Sequence, residues 1–251
     1  MRDEGTGTSI LLETERLFLR EMNEDDYDAL YSVLADSDVM QHYPYTFDEK
    51  RVRGWIAKNI DRCRMFGFGL WAVCLKGSGE MIGDCGLTLQ NINGRTLPEI
   101  GYHIRRDCQR KGYVKEAAKA VRDWAFRNTD YPALYSYCKY ANAPSIRTAE
   151  SIGMRFGCDY SDAANGITHV SVISKEDWLT YDEGLCVQCM HVGSYDDEPT
   201  TVARMHEHMV TRGYVLDITS QRMHHEIYLS DARKVSPEKR KTVIRHPIRK
   251  G

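Results

Sequence analysis

Alternating strand and helix patterns predict an α/β chain of the α+β kind, in two domains spanning 1–180 and 181–251. Apolar runs of period two and apolar stripes of period 3.6 follow one another along the chain. The clearest stripe, Val114, Ala117, Ala118, Val121, Trp124 and Ala125, follows a strand pattern and a polar loop with one glycine. After Tyr181-Asp-Glu-Gly184 a shorter strand–helix–strand–strand pattern starts afresh, and the boundary is placed on that restart.

Leu11–Arg20 reads as the first strand. Asn23 is suited to cap the next helix, with Asp26 at its third position, and Tyr27, Leu30, Tyr31, Leu34 and Ala35 share its apolar face. Gln41-His-Tyr-Pro-Tyr45 is an aromatic loop, because Pro44 stops a helix. Thr46-Phe-Asp-Glu49 has the form of a capping box for a helix with Val52, Trp55, Ile56 and Ile60 on one face. Strands are expected at 68–75, 81–89 and 99–105, then a loop at 106–112 and the long helix. A strand at 134–139, a short helix from Asn142 closed by Gly153, and a strand at 167–174 complete the first domain. The second is read as a strand at 185–192, a helix at about 197–212, and strands at 214–218 and 223–229.

Composition narrows the function classes. The chain has 251 residues, 42% hydrophobic and 28% charged, as in an ordinary folded domain rather than a disordered one. Its longest mostly apolar stretch, Phe68–Leu75, falls far short of the roughly 20 residues that span a bilayer. The N-terminus is charged and has no apolar signal region, so a cytoplasmic protein with no membrane partner is expected. A net charge of −2 gives no footprint for nucleic acid. The basic stretch Arg233–Lys250 lacks interleaved aromatics and reads as a solvated strand and tail. Eight cysteines are scattered singly among apolar neighbours, as buried thiols are. In Cys186-Val-Gln-Cys189 the strand reading sends the thiols to opposite faces. His206 and His208 do not share a helical face, and His224 and His225 alternate across a strand. No metal site is expected.

The most informative segment is Tyr102-His-Ile-Arg-Arg-Asp-Cys-Gln-Arg-Lys-Gly-Tyr-Val-Lys-Glu-Ala117. It runs from strand through a loop into an amphipathic helix, and no proline removes a backbone N–H. Free N–H groups and the dipole at a helix N-terminus favour an anion. Gly112 allows close approach, and Arg106, Arg110 and Lys111 add positive charge. The segment is a candidate pyrophosphate cradle. Neither the Gly-Lys-Ser/Thr of a Walker loop nor the three glycines of a dinucleotide fingerprint is present. An ordinary structural junction is the competing reading.

Gln109-Arg-Lys-Gly112-Tyr-Val114 resembles the acyl-CoA signature of GNAT acetyltransferases. Glu99-Ile-Gly-Tyr102, Asn142-x-x-Ser145 and Glu150-Ser-Ile-Gly-Met154 resemble motifs of the RimJ/RimL-like branch, in order, within about residues 9–179. The resemblance implies a mixed, mostly antiparallel sheet with helices on both sides, and acetyl transfer from acetyl-CoA to an amine of a small molecule or peptide. It implies that Gln109, Arg110, Lys111, Gly112, Tyr113 and Val114 hold the pyrophosphate, and that the backbone at His103 and Ile104 pairs with pantetheine. Asn142 would hydrogen-bond the same arm, and Ser145 would protonate the departing thiolate. Glu99 is the candidate base, directly or through water, with Asp84 the second choice. The 41–45 loop would line the acceptor site, where His42 is a further acid–base candidate. Two departures stand out: Val114 replaces a small residue, and Ala149 occupies the place of a general-acid tyrosine.

Met190–Asp197, Arg222–Asp231 and Thr242–Pro247 resemble one half of a GyrI-like small-molecule-binding domain. That implies a small βαββ unit in which Glu226, with Tyr228 and Ser230 on its face, pairs with a cationic ligand. A second half would have to come from another chain or from the first domain, and a homodimer is one expectation. A docking module, or a sensor whose first domain binds CoA with little turnover, is the alternative.

Overall fold

A computed structural model describes residues 9–45, 47–178, 186–218, 225–228 and 235–251, and the chain divides into two compact units, 1–178 and 179–251. The first contains an eight-stranded sheet in the order β1-β2-β3-β4-β5-β6-β8-β7. The segment read as one first strand is a hairpin, β1 (Ile10–Glu13) and β2 (Leu17–Arg20). It turns at Thr14–Arg16, where the Thr14 hydroxyl donates to the Leu17 carbonyl. Next come α1 (Tyr27–Leu34) and α2 (Glu49–Phe66), then β3 (Leu70–Leu75), β4 (Met81–Ile92) and β5 (Arg95–Ile104). After the loop come α3 (Tyr113–Asn128), β6 (Ala133–Lys139), α4 (Ala143–Ser151), β7 (Arg155–Asp162) and β8 (Gly166–Ser174). Strand β7 was not anticipated. Most of its residues are exposed at the sheet edge, so it lacks the buried apolar alternation that marks a strand in sequence.

Asn23 and Asp26 form the expected reciprocal cap, on a 3-10 turn ahead of α1. Helix α2 is capped by Asp48, whose carboxylate accepts from the Arg51 N–H. Thr46, expected in that cap, lies outside the described residues. Helices α1 and α2 cover one face of the sheet in a core of Phe18, Leu30, Leu34, Val52, Ile56, Leu70 and Ala72. Helix α3 packs on β4 and β5, and Trp124 meets Trp71 edge-on at 4.9 Å between ring centroids. Every neighbouring strand pair is antiparallel except β5 and β6, which run parallel. Their connection carries α3, as a parallel crossover requires.

The second unit holds β9 (Cys186–Val192), α5 (Glu198–Thr211), β10 (Tyr214–Leu216), β11 (His225–Tyr228) and β12 (Lys241–Lys250). The stretch read as a solvated strand and tail is the centre of this sheet. Strand β12 pairs with β9 on one side, β11 on the other, and β10 near its end. Thr242 and residues 244–248 are buried. The charges misled because they sit mainly at both ends, with Arg245 alone buried inside the strand.

Candidate active site

Strand β5 pairs with β4 along its whole length but with β6 only at Glu99–Tyr135. Past that point the two parallel strands diverge. The β6-facing edge of residues 100–104 is open, a wedge in which an extended amide chain can pair with backbone. His103 and Ile104 lie on this edge.

The wedge leads to the loop before α3. Arg110 and Gly112 adopt positive φ, 61° and 83°. Gly112 is the N-cap of α3 and supplies no side-chain cap, so the first N–H groups of the helix stay available. Successive backbone N–H groups in such a conformation form an anion nest. Arg110, Lys111 and Gly112 are exposed, and Tyr113 and Val114 are half-buried. Gln109 does not face the nest: its side-chain amide donates to the Ile104 carbonyl at 3.1 Å and closes the loop on the strand. Arg16, from the β1–β2 turn, was missed. It donates to the Lys111 carbonyl at 2.9 Å and to Glu116 at 2.7 Å, and its guanidinium lies 4.5 Å from the centre of the Tyr113 ring. A separation of about a hundred residues leaves no local signal for that contact.

On the α3 side of the wedge, Asn142 caps α4, its Oδ1 accepting the Ser145 N–H at 3.2 Å. The Ser145 hydroxyl lies 3.2 Å from the Tyr102 hydroxyl, which also donates to the Ser145 carbonyl at 3.0 Å. Burial holds the Tyr102 phenol above its ordinary range, against hydrogen bonds with Ser145 and Ser136 that lower it, so it stays protonated. Ala149 is buried and contributes no hydroxyl.

The other face of β4 and β5 carries the charge. Three successive cross-strand pairs line it: Asp84–His103, Gly86–Gly101 and Thr88–Glu99. Gly86 is required here and Gly101 is tightly placed. A Cβ on Gly86 would fall 1.9 Å from the Gly69 carbonyl oxygen, and one on Gly101 would lie 3.1 Å from Glu99 Oε2. Glu99 is only 8% exposed and accepts from the Thr88 hydroxyl at 2.8 Å. Burial pushes its carboxyl up to about 7, while Thr88, His103 and Arg62 pull it down. Asp84 is completely buried. One of its oxygens accepts from Trp55 Nε1 at 2.8 Å and the other lies 2.7 Å from His103 Nδ1. Burial lowers the His103 pKa, but the charge and hydrogen bond of Asp84 outweigh it and leave the ring above the usual histidine range. In the 41–45 loop, Tyr43 reaches His103 and packs edge-on against Phe47. His42 is pushed down by partial burial and by Lys139.

In the second unit, Glu226 is exposed on β11, at the register position of Ile244. The side chain of Tyr228, and Ser230 with it, lie outside the described residues. His206 of α5 meets His246 of β12 at 2.8 Å.

A splayed pair of parallel strands, an anion-nest geometry in the loop before α3 and a buried carboxylate at the vertex define a class of fold. The family comparison gives that class its name. Residues 16–155 match the model of the acetyltransferase (GNAT) domain, and residues 89–249 that of the GyrI-like small molecule binding domain. The chain belongs to the GNAT acetyltransferase family, is an acyltransferase, and carries a GyrI-like domain. The Bacillus subtilis protein YkkB is 36% identical over 146 residues, covering 58% of this chain and 85% of that one. A GNAT-family acetyltransferase of Bacillus anthracis superposes with a TM-score of 0.57 at 27% identity, covering 66% of this chain and 98% of that one. RimL, a ribosomal L7/L12 alpha-N-protein acetyltransferase solved with coenzyme A, shares the fold at 18% identity with a TM-score of 0.56, covering 66% of this chain and 98% of that one.

Proposed function

We propose that the chain transfers acetyl from acetyl-CoA to a primary amine, a protein N-terminus or a small-molecule amine, with Glu99 as general base. The observation that carries this reading is the buried Glu99 carboxyl at the vertex of the wedge, pushed up to about 7. A base poised there accepts a proton from an ammonium near neutral pH, directly or through one water. The nest of residues 110–114 fits a pyrophosphate, with Arg110 and Lys111 supplying charge and Arg16 bracing the Lys111 carbonyl. The open edge at His103 and Ile104 pairs with pantetheine, and a strand N–H polarises the thioester carbonyl. Asn142 keeps its amide NH2 for the same arm while its oxygen caps α4. Ser145, backed by Tyr102, protonates the departing thiolate in place of the absent tyrosine at Ala149.

RimL, by its description, acetylates a protein N-terminus and binds coenzyme A, which supports the donor and one of the two acceptor classes. All eight cysteines are free thiols, which suits a reducing, cytoplasmic setting. The second domain, 181–251, is assigned a small cationic ligand paired by Glu226 with Tyr228, supported by the GyrI-like match.

Calorimetric titration of the purified chain with acetyl-CoA tests the foundation. Micromolar binding is expected. Changing Arg110 and Lys111 together to Ala should weaken it about tenfold, with a shallower salt dependence. Absence of binding to the unmodified chain would overturn the reading.

A further inference from the structure

An ammonium acceptor must lose two protons to become an amide N–H, and Glu99 takes one. A second proton-handling group stands on the same face. The Trp55 N–H donates to one oxygen of Asp84 at 2.8 Å, the other oxygen lies 2.7 Å from His103 Nδ1, and His103 Nε2 lies 2.8 Å from the Tyr43 hydroxyl. Asp84 fixes the hydrogen on Nδ1. Nε2 of the neutral ring therefore accepts from Tyr43. Tyr43 is 38% exposed and the His103 side chain only 9%, so the phenol ring lies between the buried imidazole and the surface.

The order of pairs along the ladder places these groups. Asp84–His103 lies on one side of the Gly86–Gly101 pair and Thr88–Glu99 on the other. At about 3.3 Å per residue, an amine above Gly101 is about 7 Å along the strand from the Cα of either Glu99 or His103. It is then within reach of the Glu99 carboxylate on one side and the Tyr43 hydroxyl on the other. The charged and titratable groups around this space are Asp84 of β4, Glu99 of β5, Arg62 of α2, Tyr43 and Tyr45 of the loop, and Tyr137 of β6. Tyr43 lies in the electrostatic field of Glu99, Asp84, Tyr137 and Tyr45, and Arg62 in that of Glu99.

We propose that Tyr43, His103 and Asp84 form a second proton relay for the acceptor amine, with Tyr43 touching the amine and His103 and Asp84 as positioning residues acting through it. The inference rests on the amine-acceptor reading above. Glu99 takes the first proton and frees the nitrogen lone pair. As the nitrogen–carbon bond forms and the carbon–sulfur bond breaks, the Tyr43 oxygen takes the second proton and passes its own to His103 Nε2. The resulting imidazolium faces the Asp84 carboxylate. The sulfur takes a proton from the Ser145–Tyr102 hydroxyls. Glu99 and His103 then release theirs, one restoring the hydroxyl pair and one reaching solvent, so the reaction yields amide, thiol and one proton.

The test is kcat/KM against pH from 5 to 9, read from thiol release, with spermidine and a peptide bearing a free N-terminal serine as acceptors. With two groups that must be deprotonated, the acid limb of the unmodified chain should approach a slope of two. E99Q and H103Q should each reduce it to one. Y43F, a conservative change at an exposed ring, should lower kcat on the order of a hundredfold and leave the KM for acetyl-CoA within twofold. Its rate in mixed H2O and D2O should fall linearly with deuterium fraction, where the unmodified chain gives a curve. If H103Q and Y43F keep a slope of two and kcat within threefold while E99Q is impaired, the relay is wrong and the Glu99 base stands. If E99Q keeps full rate while H103Q and Y43F are impaired, the Glu99 base is wrong and the relay stands.

Discussion

Replacing Glu99 with Gln should make the protein more stable and less active at once. The ordinary carboxyl value of 4.5 is pushed to about 7 in the fold, with burial the largest cause. The native state therefore binds the proton more tightly than the unfolded chain does. Stability is fully present below pH 4.5 and declines as pH rises to about 7, where the carboxyl must ionise inside the fold. At about 1.4 kcal/mol per pH unit, the loss amounts to about 3 kcal/mol. Gln occupies the same volume, still accepts from the Thr88 hydroxyl and never ionises. E99Q should match the unmodified chain at pH 4 and exceed it by about 3 kcal/mol at pH 8. Tryptophan fluorescence during urea unfolding is the assay, because Trp55, Trp71, Trp124 and Trp178 all lie in the first unit. Acetyl transfer should fall by about 10²–10⁴ in the same variant. An E99Q chain equally stable or weaker at pH 8, or a stability difference independent of pH, would refute the reasoning. Glu99 would then be an ordinary packed polar residue.

Two further changes probe the frame around the site. Arg16→Ala removes the bonds to the Lys111 carbonyl and Glu116, so the KM for acetyl-CoA should rise about fivefold with kcat little changed, corresponding to about 1 kcal/mol; steady-state kinetics with varied acetyl-CoA reads it. Asp26→Asn takes the carboxylate from a buried pair in which Arg20 donates to both oxygens, at 2.8 and 2.6 Å. It should cost about 3–5 kcal/mol, read as a lower urea midpoint with unchanged slope.

The parts legible in the sequence were those with local or periodic causes. The stripe of α3, the Asn23–Asp26 cap and the glycine before α3 each depend on residues within a few positions of one another. The motif order placed Glu99, His103 and Ile104 on the strand before the loop, where β5 runs. What stayed hidden was long-range. Arg16 reaches Lys111 across 95 residues of sequence, and Tyr43 reaches His103 across 60. Asp84 and His103 were both singled out, but as a spare base and a backbone partner. Only the β4–β5 register sets them opposite each other. In β12, charges at the ends concealed a buried centre, because composition averages over a strand whose two neighbours decide its exposure.

The two faces of β5 explain how one strand serves both the fold and the chemistry. Its residues alternate, so Ile100 and Ile104 are buried while Glu99, Gly101 and His103 line the opposite face. A carboxylate and an imidazole in that position are a poor choice for a core. Burial raises the free energy of the ionised Glu99, and Asp84 is buried with a hydrogen-bond partner on each oxygen, Trp55 and His103. An apolar pair at either site would pack without those costs. Between them, Gly86 lets the Gly69 backbone pack close, and Gly101 brings no side chain against the Glu99 carboxylate. Two disfavoured polar pairs flanking a pair of glycines, at the point where β6 departs from the ladder, are what a site needs if a reacting nitrogen is to stand between two proton acceptors. On that account, a side chain added at Gly101 should be as damaging as removing the groups. Gly101→Ala brings a methyl to 3.1 Å from Glu99 Oε2 and into the space assigned to the amine. It should cost about 1–2 kcal/mol of stability yet at least tenfold in kcat/KM for the acceptor. Equal losses in E99Q and in a G101A/E99Q double variant would place both residues in one step.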